Sequence, residues 1–247
     1  MTNKTKRIIS STVIAVLVIF IMGAALTAHN KSTAVASESM SVEDVVAYQK
    51  TCGDMQKQLG KDSIYPIYYV SATNKKQMDN LNGTNTFDNT DEKMIEFLAL
   101  EWYADNNDMS VTEQDVLKRI ETTVTEMKSA DNYKEYEAAA ENLGTTYEKI
   151  IRNDYKTYYF AEILNRVYTH KYEIYAQKNG VKQDGTTDQL EVQEDEFDKY
   201  WDAFRNDVTA DYKQSESYDQ MHPTLEKCRE LAEKDITTVS SIKNAGL

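Results

Sequence analysis

The chain has 247 residues, of which 41 are acidic and 28 basic, for a formal net charge of −13. A surface of that sign repels nucleic acid and anionic lipid head groups, which argues against both as partners and favours solubility. Eight glycines and two prolines leave little material for tight β turns, so the composition points to a mainly α fold.

At the front, Lys4, Lys6 and Arg7 precede an apolar run from Ile8 to Ala28, the pattern of an export signal or a membrane anchor. A run of this length can cross a hydrocarbon core of about 30 Å as a transmembrane helix rising about 1.5 Å per residue. Ala34-Val35-Ala36 also offers a small-x-small cleavage site before Ser37, so retention and release both stand. Either way the basic front keeps the N-terminus cytoplasmic and sends residues 37–247 outside. That exported part holds 24 basic against 41 acidic residues, a net charge of −17. Cys52 and Cys228 lie near its two ends. Outside the cytosol they can pair. Each also falls on the apolar side of an expected helix, where a free thiol acts as a small hydrophobe.

Ser41 is placed to cap a helix with Asp44 at its third position, and Val45, Tyr48, Cys52, Met55 and Leu59 form one apolar stripe along it until Gly60. IYPIYYV, from Ile64 to Val70, is the one β-like run, and Pro66 makes it an edge or extended segment. The polar stretch from Ser71 to Thr90 reads as a mobile loop with a short helical piece around Met78. Asp91 then opens a helix with Met94, Ile95, Leu98, Trp102 and Tyr103 inward. Thr112 and Asp115 cap the next, striped by Val116, Ile120, Val124 and Met127. A short helix with Tyr133, Tyr136 and Leu143 stops at Gly144. Thr145 and Glu148 form a capping box for a helix that runs to about Lys178, some 50 Å long.

That long helix carries Tyr147, Ile151, Tyr155 and Tyr158 on one side and Phe160, Ile163, Leu164, Val167 and Ile174 nearly opposite. Its apolar side switches midway, which suits a strut between two lobes. Residues 181–194 read as a polar linker. Beyond it Phe197, Trp201, Phe204, Val208 and Tyr212 stripe one helix. A last helix starts near Pro223 and presents Leu225, Cys228, Ala232, Val239 and Ile242.

Catalytic and metal chemistry find little support in the residues. Of the three histidines, His29 sits in the front segment, and His170 and His222 have no Cys or His at ligand spacing, so no zinc or other metal site is expected. Asp105-Asn106-Asn107-Asp108 begins like a calcium loop, but Met109 and Ser110 occupy positions that need a ligand and a glycine. Glu194, Asp195 and Glu196 read as a solvated helix start. Neither a nucleophile elbow nor a phosphate-cradling glycine loop is present, so no cofactor is expected. Tyrosine stands out: nine of the 17 fall between Tyr133 and Tyr175. A ring with a polar tip packs a helical core, or lines a groove that tolerates varied apolar segments. Trp102, Tyr155, Tyr158, Tyr159, Phe160, Tyr168 and Tyr172 are the candidate peptide-binding residues.

The block from Asp91 to about Tyr175 resembles the N-terminal chaperone domain of the SurA and PrsA class of extracytoplasmic folding factors. The likeness lies in the order of signals: DEKMIEFLALEWYAD, then MSVTEQDV at the turn where that family has a Gly-Ile-x-Val motif, then a Thr-Thr-Tyr-Glu start to the long helix. Asn107-Asp108 stands where the family often has glycine, and a left-handed turn tolerates either. The resemblance implies an elongated multi-helix cradle that holds unfolded or partly folded polypeptide outside the cytoplasmic membrane. Relatives often continue into a parvulin-type isomerase domain. Here the residues after Leu190 hold one glycine, Gly246, and one histidine, His222, too helical for that α/β domain. They look instead like the returning segment that packs on the N-terminal part, and a Cys52–Cys228 disulfide would fit that closure.

The organisation expected is thus a signal or anchor over residues 1–36, a helical domain over 37–180, a linker over 181–194 and returning helices over 195–247. The function expected is chaperone-like binding without catalysis, with a cell-surface adaptor for one folded partner as the alternative.

Overall fold

A computed structural model of the chain describes residues 41–82, 86–179 and 187–247. The front segment with its cleavage site at Ala36, and residues 180–186 of the expected linker, lie outside the described residues. Every regular element among the described residues is a helix: α1 (Val42–Leu59), α2 (Tyr65–Asn82), α3 (Thr86–Asp105), α4 (Glu113–Lys128), α5 (Tyr133–Asn142), α6 (Tyr147–Asn153), α7 (Tyr155–Asn179), α8 (Thr187–Tyr212), α9 (Glu216–Glu233) and α10 (Val239–Asn244).

Local chemistry sets many of the ends. The Ser41 hydroxyl accepts the Asp44 N–H at the start of α1. Thr112 and Asp115 exchange both bonds of a capping box at α4. At the end of α5, Gly144 has φ +73°, its N–H bonds to Glu141 O and the Thr145 N–H bonds to Ala140 O, the pair of bonds that closes a helix through a left-handed residue. The turn after α3 uses the same device with Asp108 at φ +57° in the glycine position, and the Met109 N–H closes onto Ala104 O.

Several elements depart from the sequence expectations. Ile64–Val70 is not a strand, because Pro66 falls in the first turn of α2, where no N–H is needed. Ile64, Tyr65, Ile67, Tyr68, Val70 and Ala72 are all buried, so the first turns of α2 are enclosed among α1, α3 and α9 and show no polar face to reveal the helical period. The expected loop from Ser71 to Thr90 is helical up to Asn82 and again from Thr86, so α3 begins before Asp91. Residues 187–194 of the expected linker open α8. The last helix begins at Glu216 with the Ser215 hydroxyl as cap, not near Pro223, and Pro223 sits inside it. Pro223 and Asp219 are both exposed, so water reaches the carbonyl that proline leaves without a donor. That helix stops at Glu233, and Val239 and Ile242 belong to the separate α10.

The long helix is also broken. The cap is Thr146 rather than Thr145, and Glu148 pairs with Lys128 and Arg152 instead of closing a box. α6 ends after seven residues, at Asn153. Asp154, with φ −92° and ψ 63°, starts α7 afresh, with Thr157 three residues on favouring its carboxylate. The break coincides with a close crossing: a Cβ placed on Gly53 of α1 would lie 3.0 Å from Asn153 Cβ and 3.2 Å from Ile150 O.

Two hydrophobic cores result. The smaller gathers α4, α5 and α6 with Val46 of α1 and Tyr158 of α7. The larger joins Cys52 and Met55 of α1, the first turns of α2, the inward face of α3, Phe160, Ile163 and Val167 of α7, and the inward faces of α8, α9 and α10. The switch of apolar side near Tyr158 and Phe160 therefore has a physical counterpart, with Tyr159 and Val111 packed against both cores. The returning segment places Leu225, Cys228, Ala232 and Ile242 in the larger core, against α1, α2 and α3.

Candidate functional site

The seven aromatic residues singled out in the sequence do not line one groove. Tyr158 and Phe160 are interior, Tyr158 in the smaller core and Phe160 in the larger, where it lies 5.5 Å from Phe97. Trp102 is half-buried against Tyr212 at 6.1 Å. Tyr155 and Tyr159 stack at 6.5 Å, 17° from parallel, just after the α6–α7 break. The Tyr159 hydroxyl donates to Glu101 Oε1 at 2.7 Å, and Lys156 Nζ lies 4.1 Å from the centre of the Tyr159 ring and 3.5 Å from Glu101. Burial, then Glu101, holds the Tyr159 phenol far above its ordinary range. These rings are fixed by partners on α3 and α7.

Tyr168 and Tyr172 belong to a different arrangement, one that reading α7 alone does not disclose. Both meet Phe197 of α8 edge-on, at 5.1 and 5.0 Å, and Tyr168 also meets Trp201 edge-on. Tyr175 continues the row against Phe197 and Tyr200, and its hydroxyl reaches Glu196 at 3.3 Å. Phe204 closes the row by packing on Trp201 and on Tyr103 of α3, with Lys171 Nζ 4.2 Å and 4.7 Å from the two ring centres. The signal for this seam was present as two matching series, Tyr168, Tyr172, Tyr175 and Phe197, Tyr200, Phe204, at spacings of three and four. Phe197 and Trp201 are buried. Tyr168, Tyr172, Tyr175, Tyr200 and Phe204 keep part of their surface in water. This seam is the candidate functional site. Its rings carry apolar area already stripped of rotamer freedom, and their hydroxyls keep the uncovered edges wet.

The most perturbed groups lie elsewhere. Asp154 is 4% exposed, and burial pushes its carboxyl up to about 6 against the pull of bonds from Thr157 and Cys52. The Cys52 thiol donates to Asp154 Oδ1 at 3.4 Å, and burial followed by that carboxylate raises it well above an ordinary thiol. Cys228 is pushed up to about 12, by burial first and Asp91 second. Of the two readings the sequence left open for Cys52 and Cys228, the structure has the buried free thiols, and Cys52 is turned to Asp154. Among the described residues no group of His, Cys, Asp and Glu side chains is arranged to hold a metal ion, and no helix is long and apolar enough to cross a membrane.

Comparison of the chain with protein-family models, with curated proteins and with solved structures finds no match. The resemblance to the SurA and PrsA class therefore rests on the helix signals from Asp91 to Tyr175.

Proposed function

We propose that the chain is an exported, chaperone-like protein of the SurA and PrsA kind that binds apolar stretches of unfolded or partly folded polypeptide outside the cytoplasmic membrane, without catalysis. The observation that carries this reading is the half-buried aromatic seam between α7 and α8. Rings held edge-on by one another present apolar surface at small further entropic cost, and a row of them accepts varied side chains. The acidic exterior keeps a loaded complex soluble. In this reading the front segment sends the body across the membrane and then holds it there or releases it after Ala36. The perturbed pair Cys52 and Asp154 is enclosed in the interior, out of reach of a substrate, which supports binding over chemistry.

A second reading, an adaptor for one folded partner, draws on the same rings: a seam so fully cross-braced favours a fixed complementary surface over an adaptable one. Binding of the full-length chain to a peptide array, with a light-scattering assay of an aggregating reference protein, separates the two. The chaperone reading expects binding to many apolar peptides and delayed aggregation at stoichiometric amounts, both reduced by Tyr172→Ser and Tyr200→Ser together. Binding to no generic peptide, with one saturable partner in a pull-down, would leave the adaptor.

A further inference from the structure

The segment after α9 is tied to the body through two tyrosine hydroxyls of α2. α9 ends through a left-handed residue at 235: the Asp235 N–H bonds to Ala232 O and the Ile236 N–H to Leu231 O. That position favours glycine, yet it holds Asp235 at φ +55°, a conformation costly for a residue with a Cβ. The cost is offset from outside the segment, by the Tyr69 hydroxyl donating to Asp235 Oδ1 at 2.6 Å. A second tether of the same kind follows, the Tyr65 hydroxyl donating to Ile236 O at 2.5 Å. The ion pairs of Arg229 with Asp88, Asp91 and Glu233 stop at the end of α9.

Beyond this pivot the grip is slight. α10 has six residues and packs on α1. Ile242 is its one fully buried side chain, at 0% exposure, with Ile236 and Leu247 half-covered beside the same core. A short segment held by one fully buried side chain and two phenol tethers opens locally at lower cost than the longer helices beneath it. Its opening uncovers the place on α1 where Ile242 sits in the larger core.

We propose that residues 236–247 are a displaceable latch: in the resting protein Ile242 fills an apolar seat against α1 that takes an aliphatic side chain of the client when the latch swings out about Asp235. This rests on the polypeptide-binding reading and adds a second contact point and its regulation. The client chemistry is that of the latch itself, an isolated aliphatic residue followed by a basic one, as Ile242 is by Lys243. A body with this excess of acidic residues draws such segments in.

The experiment is hydrogen–deuterium exchange of the full-length chain, alone and with a reduced, carboxymethylated protein that stays unfolded as probe, alongside the probe affinity of Ile242→Asp and Tyr69→Phe. In the free protein the amides of 236–247 exchange at least tenfold faster than those of α1. Added probe speeds them further and slows α1. Ile242→Asp binds the probe at least threefold more tightly than the unaltered chain, and Tyr69→Phe shifts affinity in the same direction by less. Should circular dichroism show Ile242→Asp to be misfolded, Tyr69→Phe, which keeps its ring, carries the comparison. A latch as protected as α1, or equal affinities in a chain that does bind the probe, overturns the latch and leaves the binding reading standing. No binding by any form overturns both.

Discussion

The two cores of this protein are built by different rules. The smaller is assembled almost entirely from one continuous stretch, α4 to α6, whose helices are neighbours in sequence. Its ties are short in sequence too: Lys128 with Glu148, and Arg152 with Glu121 and Glu148. The larger core draws on pieces from Cys52 to Ile242, and its polar ties are long. The Tyr65 hydroxyl reaches Ile236 O, 171 residues on, and Arg229 reaches back 138 residues to Asp91, which also accepts the Tyr68 hydroxyl. The difference teaches where local signals suffice. In the smaller region caps and stripes are enough to lay helices side by side. In the larger one the conformation of a segment depends on what it meets far along the chain.

The largest blow to the second region should come from Phe197→Ala. Its ring is buried at the centre of the α7–α8 seam, so the substitution should cost about 3–5 kcal/mol in chemical denaturation. It should also loosen α7 from α8 while leaving exchange protection in α4 to α6 nearly unchanged. Equal loss of protection in both regions would show that the two cores melt as one unit.

Asp154→Asn tests the junction between the regions. The folded carboxyl lies at about 6 against an ordinary value of 3.8, so the stability that Asp154 itself contributes is fully present below the ordinary value and is lost as pH rises through 6. Asparagine keeps the cap on α7 and removes the charge. The variant should therefore match the wild type near pH 3.5 and exceed it above pH 6.5 by up to about 3 kcal/mol. A constant gap at every pH would contradict the account.

Tyr68→Phe removes the phenol that donates to Asp91 Oδ1 at 2.5 Å and leaves the ring in place. A bond from a buried hydroxyl to a charged partner supports a loss of about 1.5–3 kcal/mol, felt chiefly as faster exchange in α9. The smallest effect belongs to the first region: Thr112→Ala loses the α4 cap, for about 1 kcal/mol by thermal melting, confined to α4.

The helices around the smaller core were legible because their signals are local. Thr112, Asp115 and Gly144 each satisfy backbone groups within a few residues, and the stripe Val116, Ile120, Val124, Met127 is buried along its whole length. Ile64–Val70 reads as a strand in sequence because this stretch of α2 is buried almost throughout, which removes the polar face and with it the period that separates helix from strand. Asp154 had a readable signal, an Asn-Asp pair before a residue fit to accept the cap at Thr157, but the apolar pattern ran straight across it. The aromatic site was half visible. Composition and spacing picked out Tyr168 and Tyr172, while their partners Phe197, Tyr200 and Phe204 gain meaning only once α8 is laid against α7.

Sequence by itself determined the helical class, many of the caps, the inward stripe of α8 and the change of apolar side between Tyr158 and Phe160, because each is decided by bonds or periodicity within a few turns. Tertiary structure decided that α2 is a helix, that the strut breaks where Gly53 lets α1 cross it, that Cys52 faces Asp154 instead of Cys228, and which tyrosines stay in reach of water. Those outcomes depend on area buried between segments distant in the chain, and no local preference is large enough to decide them alone.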